Sequence, residues 1–473
     1  MSNRKTLGQV FTPQWVVDLM LDDLNYKSDN PDILTQRILE PSFGEGIFLF
    51  EIVKRLIIAG KHRNLDSKQI SQIISSNVWG VEFDKSVYEA TLGALDTLMN
   101  KEGIRVDKWN LYNVDALTFD TEDKFDLVVG NPPYVRIHNM STELRDTAKL
   151  FNLSKGTKDV YILFFELGIN LLNDTGRLSF ITPNSFFRTT SPKIFRDYVV
   201  DNHLLDKITD FGSKIIFDGA ATYTAITNLS KGAHKTSLKF SYRGTDNPFD
   251  NIIQYSDLGL VWAFTNPDDT LFMRGIKGRQ KSLGDLLKVQ YGISTLRDKL
   301  YTVLPENIEK SIVRKAIKGG RFKGNNYAQI LFPYDIVDNK PVAMLESKLQ
   351  EYPVAYAYLS QHKEELLSRD IEKNGQWFQY GRSQGISHHN KRKLVFSNVI
   401  STTQTTIKAH IIEPETLVYA GFYITEQADG LTLEEIQKII ETEEFCKYMK
   451  LLGKDMSGGF KAISPKLIKE FRI

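Results

Sequence analysis

The sequence predicts an α/β protein in which a parallel sheet flanked by helices is followed by a separate α+β module. Up to about residue 230, short apolar runs alternate with amphipathic stretches, which is typical of strands joined by crossover helices. A polar, glycine-dotted passage at about 230–248 interrupts this alternation, and aromatic clusters follow it. We therefore expect two domains, residues 1–240 and residues 241–473.

Hydrophobic periodicity places the elements of the first domain. The predicted strands are 36–40, 78–82, 125–130, 177–182, 207–211 and 224–229. Apolar residues three and four positions apart predict helices over 47–58 and 84–99, and 160–172 is apolar enough for a helix buried almost all round. The long polar segment 135–159 fits either a mobile loop or a plain surface helix.

Composition excludes several classes of protein. Cys446 is the only cysteine among 473 residues, so an intramolecular disulfide and a paired-cysteine metal site are both impossible. The N-terminal segment lacks the apolar core of a signal peptide, and the most apolar stretch, 161–172, is short and carries Glu166. We therefore expect a cytoplasmic protein that does not interact with a membrane.

The formal net charge of +2 hides an uneven distribution. A nearly neutral chain would argue against a nucleic-acid partner, because phosphate binding requires a basic surface. Within 271–324, however, 13 basic residues stand against four acidic ones, with four aromatic residues among them. This stretch is either a solvated face or a surface that follows a phosphate backbone.

The strongest chemical motif is Asn131-Pro132-Pro133-Tyr134, directly after the strand at 125–130. Ligands of open α/β sheets bind beyond the carboxyl ends of the strands. The prolines hold the backbone extended and remove N–H donors, so carbonyl oxygens face outward without a competing donor. The Asn131 side chain adds an amide oxygen, and Tyr134 adds a flat ring. Together these groups form a site for a planar group that bears an exocyclic amine. A rigid proline turn with a buried tyrosine is the structural alternative.

Acidic residues and glycines follow the earlier strands. Residues 40–46, EPSFGEG, open a helix, and Gly44 and Gly46 let the backbone approach a ligand closely. A P-loop is disfavoured, because there is neither a GxGxxG spacing nor a Gly-Lys-Ser/Thr sequence. Glu82 ends the second strand, where a carboxylate can accept both hydroxyls of a ribose, and Asp115 stands where it can accept an adenine amino group. Either acid alone would be an ordinary strand-end residue.

Five motifs occur in one order along the chain: GQVFTP at 8–13, EPSFGEG at 40–46, VEFD at 81–84, VDAL at 114–117 and NPPY at 131–134. In this order they resemble the cofactor and catalytic motifs of amino-group DNA methyltransferases, specifically the γ-class, TaqI-type or Eco57I-like adenine-N6 enzymes of restriction-modification systems. The resemblance implies a class I S-adenosylmethionine-dependent, Rossmann-like catalytic domain, followed by an α+β DNA target-recognition domain.

The resemblance also implies a role for each cofactor residue. The methionine moiety of S-adenosyl-L-methionine would lie against Thr12 and Pro13, with its amino and carboxylate ends near Glu40 and Ser42. Glu82 would hold the ribose, Phe83 would pack on the adenine, Asp115 would accept its amino group, and Ala116 stands where the family often has a bulkier side chain. The implied cofactor-binding set is Thr12, Pro13, Glu40, Ser42, Gly44, Gly46, Glu82, Phe83, Asp115, Ala116, Asn131 and Pro133.

The implied catalytic residues are Asn131, Pro132, Pro133 and Tyr134. The Asn131 Oδ1 and the Pro132 carbonyl would accept the two N–H bonds of the target amine, which favours a localised lone pair and direct attack on the methyl group. The target base would be flipped out of the duplex and stacked between Tyr134 and Phe217. Phe217 as a core residue is the alternative. A cytosine-C5 reaction is excluded, because the only cysteine lies near the C-terminus.

The expected partner is double-stranded DNA, with a cognate restriction endonuclease encoded separately, and we expect a monomer that holds no metal. The DNA-binding candidates are Arg274, Lys277, Arg279, Arg297, Lys299, Arg382 and Lys391. Candidates for base reading in the loop after Trp377 are Gln376, Gln379, Arg382, Gln384, His388 and Lys391. We find no nuclease motif of the PD…(D/E)xK kind.

Other acceptors of a methyl group remain open at this point. An RNA amino-methyltransferase or a protein-glutamine N5-methyltransferase could use the same NPPY turn, since both substrates present an NH₂ group. The glutamine enzyme needs no large basic C-terminal domain, which is the feature that disfavours it. A non-catalytic DNA-binding module would need neither the cofactor turn nor NPPY.

Overall fold

The computed structural model describes residues 11–137, 141–156, 159–189, 191–217, 223–232, 234–244, 247–338, 340–371, 375–427, 430–456 and 458–473. The chain forms two compact units, Met1–Thr270 and Leu271–Ile473. Among the described residues, no helix is long and apolar enough to cross a membrane.

The first unit contains one nine-stranded sheet in the order β3-β2-β1-β4-β5-β7-β6-β8-β9. Its strands are β1 Ile38–Glu40, β2 Val78–Val81, β3 Asn110–Tyr112, β4 Phe125–Gly130, β5 Leu172–Pro183, β6 Leu205–Asp210, β7 Thr224–Ser230, β8 Ser237–Tyr242 and β9 Phe249–Gln254. Strands β3, β2, β1, β4 and β5 run parallel, and β7 is antiparallel to both β5 and β6. The strand order reverses between β1 and β4, and ligands of such sheets bind at that point.

Helices pack on both faces of this sheet. They are α1 Gln14–Asp23, α2 Ile47–His62, α3 Ser67–Asn77, α4 Lys85–Lys101, α5 Thr142–Ala148, α6 Val160–Leu171 and α7 Lys193–Asp201, and α8 Pro267–Lys277 contains the boundary between the units. Two hydrophobic clusters form the core, one rich in residues of α6 and the other in residues of α1 and α2. The predicted α/β class is confirmed, and α6 is buried almost all round, as its composition predicts.

The first unit extends past the boundary predicted at residue 240. The polar passage at about 230–248 contains β8, which pairs with β6, and β9 follows and pairs with β8. Leu238 and Phe240 alternate with polar residues, and both are buried in the core of the first unit. This short period-2 pattern indicates a strand, although its flanking glycines and lysines are typical of a linker. The three-residue strand β3 is a second element that the periodicity did not predict.

The segment after NPPY, residues 135–159, is a long loop whose two ends lie close together. The Val160 N–H donates to the Val135 carbonyl at 2.9 Å, and α5 lies within the loop. Glu166, the one charged residue of the apolar helix α6, is buried and accepts the backbone N–H groups of Asn152 and Leu153, both at 2.7 Å. The carboxylate therefore fixes the C-terminal part of this loop, at Asn152 and Leu153. Residues 138–140 and 157–158 of the predicted loop lie outside the described residues.

The second unit is an α+β module of small sheets, as predicted. Its sheets are β10-β19-β15-β17, β12-β11-β18, β13-β14 and β16-β21-β20. The strands are β10 Lys288–Tyr291, β11 Val313–Lys318, β12 Ala328–Leu331, β13 Tyr334–Val337, β14 Lys340–Ala343, β15 Lys393–Phe396, β16 Val399–Ser401, β17 Ala409–Ile412, β18 Leu417–Tyr419, β19 Phe422–Thr425, β20 Lys454–Met456 and β21 Phe460–Ala462. The helices are α9 Leu283–Leu286, α10 Asp298–Thr302, α11 Glu346–Leu349, α12 Pro353–Gln361, α13 Lys363–Leu367, α14 Leu433–Ile440, α15 Glu443–Leu452 and α16 Pro465–Glu470.

Candidate active site

The predicted site residues follow four neighbouring strands. Glu40 ends β1, Glu82 comes directly after β2, Asp115 lies shortly after β3, and Asn131 comes directly after β4. Because β3, β2, β1 and β4 are adjacent and parallel, their carboxyl ends lie along one edge of the sheet. The fold therefore brings three acids and the NPPY turn to the same edge.

The glycine turn between β1 and α2 is fixed from two sides. Gly44 and Gly46 both have a positive φ, +51° and +77°, and a Cβ atom on Gly46 would lie 2.5 Å from the methyl group of Thr91. The Gly44 N–H donates to Glu82 Oε2 at 2.9 Å, and the Thr91 hydroxyl donates to the Gly44 carbonyl at 2.9 Å. A side chain at Gly46 would meet both strain and collision, whereas one at Gly44 would meet strain alone and would fill open space that a close ligand can use.

The second carboxylate, Glu82, is buried and held by backbone donors. Its Oε1 accepts the Asp84 N–H at 2.8 Å, in addition to the contact with the glycine turn. Burial raises the pKa of Glu82 above its ordinary value, and these backbone hydrogen bonds act in the opposite direction. Asn113 donates its side-chain amide to the carbonyls of Glu82 and Phe83, at 2.8 and 3.0 Å, and so fixes the turn after β2.

An apolar ring and a third carboxylate complete this end of the site. The Phe83 side chain is 62% exposed, an unusual state for a phenylalanine and suited to covering a flat ligand. Asp115 accepts the Leu117 N–H through Oδ1 at 2.9 Å, and Ala116 is buried beside it. Burial raises the pKa of Asp115, and the hydrogen bond from Leu117 lowers it.

Glu40 is the least satisfied polar group of the site. Its side chain is 2% exposed, and among the described residues its Oε2 has no hydrogen-bond partner. Burial and then the neighbouring charge of Glu82 raise the pKa of Glu40 well above its ordinary value, against a hydrogen bond from the Leu49 backbone. A buried carboxylate in this state requires a cationic or donating partner. The amino group of a methionine-derived cofactor has that chemistry.

Three separate segments of the chain meet at Asn131. Its side-chain Nδ2 donates to Thr12 Oγ1 at 3.1 Å, and its backbone carbonyl accepts the Ser42 hydroxyl at 3.4 Å. Thr12 is buried, and Pro13 begins α1 by accepting the Val16 N–H at 3.0 Å. The FTP and EPS segments therefore both reach the NPPY turn, and their contacts with a cofactor stay a prediction. Pro132 is buried, and Pro133 is half-buried.

Tyr134 and Phe217 contact each other. Their ring centroids are 6.1 Å apart at an interplanar angle of 60°, and the Tyr134 hydroxyl donates to the Ile181 carbonyl at 3.2 Å. Burial raises the pKa of Tyr134 well above its ordinary value. Phe217 is 1% exposed and belongs to the core of the first unit. In this arrangement Phe217 has the position of a core residue, and the rings would have to separate before a base could stack between them.

Replacing Phe217 by Ala is expected to destabilise the protein by about 3–5 kcal/mol, because it removes a fully buried aromatic ring. Chemical denaturation with matched thermal unfolding measures this loss. Phe11 serves as the control, since its ring is largely exposed and its replacement by Ala should cost far less. A Phe217→Ala protein of unchanged stability would contradict the core position.

The basic candidates of the second unit divide into two groups. Arg279, Arg297 and Arg382 pair with Glu444, Glu365 and Asp370, at 2.8, 2.7 and 2.8 Å. Lys299 and Lys391 are exposed, and within the described part of the chain neither makes an ion pair. Arg274 is exposed, and Lys277 is half-buried near Glu470. The local excess of positive charge in 271–324 is therefore partly neutralised by acids that lie elsewhere in the sequence.

Two of the base-reading candidates stabilise the loop that carries them. Gln379 is buried, and its Oε1 accepts the Gln376 N–H at 3.1 Å. The ring of His388 lies 2.9 Å from the Tyr423 hydroxyl. Burial and neighbouring lysines lower the pKa of His388. These contacts give both side chains a structural role, and Gln384 remains exposed.

With this geometry in place, residues 50–217 match the family of Eco57I restriction-modification methylases. Over these residues the chain is similar to Eco57I-like restriction-modification methylases. The matched region runs from α2 to Phe217 and so includes Glu82, Asp115 and the NPPY turn. This confirms the family that the order of the motifs predicts.

Curated proteins are similar to this chain at low identity. It is 23% identical to the Type II methyltransferase M.PaeR7I of Pseudomonas aeruginosa, over 98% of this chain and 85% of that protein. It is 24% identical to the Type II methyltransferase M.BstVI of Geobacillus stearothermophilus, over 78% and 73% of the two chains. The Type II restriction enzyme and methyltransferase RM.Eco57I of Escherichia coli is 22% identical over 92% of this chain, which spans 53% of that protein.

Solved structures of restriction-modification enzymes share the fold. The Type IIL enzyme MmeI, solved in complex with DNA, superposes with a TM-score of 0.65 and 15% identity over 96% of this chain, which spans 65% of the MmeI chain. A nuclease-deletion mutant of the Type ISP enzyme LlaGI gives a TM-score of 0.52 and 14% identity over 90% of this chain and 49% of that one. The predicted class I methyltransferase fold with a further α+β domain is confirmed.

Proposed function

We propose that this protein transfers the methyl group of S-adenosylmethionine to the N6 amine of an adenine in double-stranded DNA, as the modification component of a restriction-modification system. The observation that carries the proposal is the position of Asn131. It follows β4 at the sheet edge, its amide N–H donates to Thr12, and two residues without N–H donors come directly after it. The turn therefore offers oxygen acceptors to an amine that enters this edge.

The residues along the edge suit S-adenosylmethionine. Glu40 offers a buried carboxylate oxygen to the ammonium group, Glu82 and Asp115 offer carboxylates to the ribose and adenine, and Phe83 offers an exposed ring. The glycine turn leaves space for the ligand to lie against the protein backbone. When bound, the cofactor supplies a methyl group made electrophilic by its sulfonium. Thr12, Pro13 and Ser42 lie at the Asn131 end of the edge, where the methionine moiety would be.

The chain's own groups would act on the amine. The Asn131 Oδ1 and the Pro132 carbonyl would accept its two N–H bonds, and these hydrogen bonds strengthen as positive charge develops on nitrogen. Tyr134, held through its hydroxyl at the Ile181 carbonyl, would offer its face to the target base. The base would leave the duplex to reach this turn, because its amine is otherwise paired.

Methyl transfer to the C5 position of cytosine requires a nucleophilic thiol, and the single cysteine of the chain does not suit that role. Cys446 is fully buried on α15 in the second unit, and burial raises its pKa, whereas a nucleophilic thiol needs a lowered pKa. The relatives named as Type II methyltransferases, and MmeI solved with DNA, support DNA as the substrate. We assign target recognition to the second unit. We also propose that a separate endonuclease is the partner and that the protein is a monomer, which analytical ultracentrifugation can test.

The substrate class is tested by incubating the protein with methyl-labelled S-adenosylmethionine and, in parallel, unmodified genomic DNA, total RNA and a protein extract. The proposal predicts label in double-stranded DNA and far less in the other two. Label that accumulates in RNA would favour the RNA amino-methyltransferase, and label in protein glutamine would favour the N5-methyltransferase. Either result overturns the proposal.

Lys299 and Lys391 are expected to bind DNA phosphates from the second unit. Replacing both by Ala should weaken DNA binding at low salt and reduce the slope of log K against log salt by about one for each phosphate that is no longer neutralised. Arg105→Ala is the control, because this exposed side chain lies before β3, at the opposite edge of the sheet from the site. Fluorescence anisotropy across a salt series measures both slopes. An unchanged slope in the double variant would remove these lysines from the interface.

A further inference from the structure

The side chain of Asn131 can serve the proposed reaction in only one of its two amide orientations. An adenine amine donates N–H bonds, so it needs the Oδ1 end of the amide. If the amide turned by 180° about its last bond, the NH₂ end would face the amine, which would then have one acceptor fewer. The side chain must therefore be held in place with its Oδ1 end toward the amine.

In the structure the contact with Thr12 fixes the plane of this amide, and the NH₂ end makes the contact. The Asn131 Nδ2 donates to Thr12 Oγ1 at 3.1 Å, across 119 residues of sequence. The threonine is buried and stands next to Pro13, which begins α1, so its position is fixed by the start of a helix. The Asn131 backbone is held independently by the Ser42 hydroxyl. With the NH₂ end turned toward Thr12, the Oδ1 end points away from it.

We propose that Thr12 is a positioning residue for the NPPY turn, which it serves by holding the Asn131 amide in place with its Oδ1 end free to face the target amine. The inference rests on the proposed function and deepens it, because it gives the N-terminal FTP segment a role in the transfer step that is separate from contact with the cofactor. Thr12 acts through Asn131 and need not touch the base.

The variants Thr12→Val and Thr12→Ser separate this role from a contact with the cofactor. Valine has the same shape without the hydroxyl, so kcat at saturating cofactor should fall about tenfold, the effect of removing one orienting hydrogen bond. The dissociation constant for S-adenosylmethionine, measured by calorimetry, should change less than about threefold. Serine retains the hydroxyl and should restore kcat to within about twofold. Thermal unfolding of each variant checks that it folds.

Thr91→Val is the matched comparison. This threonine is also buried, and its hydroxyl donates to the Gly44 carbonyl of the cofactor turn instead of contacting Asn131. It should weaken cofactor binding with little effect on kcat at saturation, the reverse of the Thr12 pattern. If Thr12→Val raises the dissociation constant and leaves kcat unchanged, or if serine fails to restore kcat, Thr12 is a cofactor contact and the inference is overturned.

A structural measurement tests the inference even without activity. In protein labelled with ¹⁵N-asparagine, the side-chain NH₂ signals of Asn131 are identified by their absence in Asn131→Asp. Slow solvent exchange of one amide proton, retained in Thr12→Ser and abolished in Thr12→Val, is the expected result. Equal exchange in all three proteins would contradict the orienting contact. If the wild-type protein methylates no DNA, the proposed function fails, while this signal still decides the contact.

Discussion

Replacing Asn131 by Ala is expected to lower kcat for methyl transfer by about 10²–10³-fold, the loss typical of removing one preorganised group that stabilises developing charge. The variant removes the acceptor for the amine but leaves Glu40, Glu82 and Asp115 in place along the edge of the sheet. The affinity for S-adenosylmethionine should therefore stay within about threefold of the wild-type value. Single-turnover kinetics and calorimetry measure the two quantities separately.

Asn100→Ala is the control for this substitution, because Asn100 is exposed in the last turn of α4. It should retain both kcat and cofactor affinity. An Asn131→Ala protein that transfers methyl groups at the wild-type rate would contradict the role of the NPPY turn. A parallel loss of cofactor binding would instead assign Asn131 to the cofactor site.

Replacing Glu40 by Gln is expected to stabilise the protein without cofactor and to weaken cofactor binding. The pKa of Glu40 is raised in the folded state, so ionising its buried carboxyl costs the folded protein more than the unfolded chain. The stability that the protonated group contributes is lost as the pH rises through that pKa. Glutamine avoids the cost, so the melting temperature of the variant should exceed that of the wild type by a few degrees at neutral pH and match it at low pH.

Cofactor affinity should show the opposite trend. The ammonium group of S-adenosylmethionine pairs only with the ionised carboxylate, so wild-type affinity should increase as the pH rises toward the raised pKa of Glu40. Glutamine should lower the affinity about 10–100-fold at neutral pH and abolish this dependence. Glu89→Gln is the control, since Glu89 is exposed on α4. Unchanged affinity and stability in Glu40→Gln would show that this carboxylate has another role.

The sequence predicts which residues lie at the carboxyl edge of the sheet better than it predicts the short and polar strands. Strands β1, β2 and β4 are buried apolar runs, and the polar residues that follow them must meet at one edge once the strands are parallel, so Glu40, Glu82 and Asn131 could be placed from the sequence. Strand β3 is as short as β1, but only its middle residue, Leu111, is buried, so it carries no apolar run. Strands β8 and β9 carry the polar residues of an edge, which made their segment resemble a linker.

Contacts between distant side chains could not be predicted from periodicity. The basic stretch 271–324 predicts positive charge, but the acids that pair with Arg279 and Arg297 come from other segments. Phe217 is compatible with either a stacking or a core role until its burial is known. The Thr12 contact joins residues 119 positions apart, and only the assembled sheet brings them together.

The most direct test of the central claim is the identity of the modified nucleoside. Unmodified double-stranded DNA is treated with the protein and S-adenosylmethionine, digested to nucleosides and analysed by mass spectrometry, with Asn131→Ala in parallel. We predict N6-methyladenine in the wild-type reaction and at most about 1% of it in the variant reaction. Methylcytosine in place of N6-methyladenine, or equal yields from the two proteins, would contradict the proposed adenine-N6 transfer at the NPPY turn.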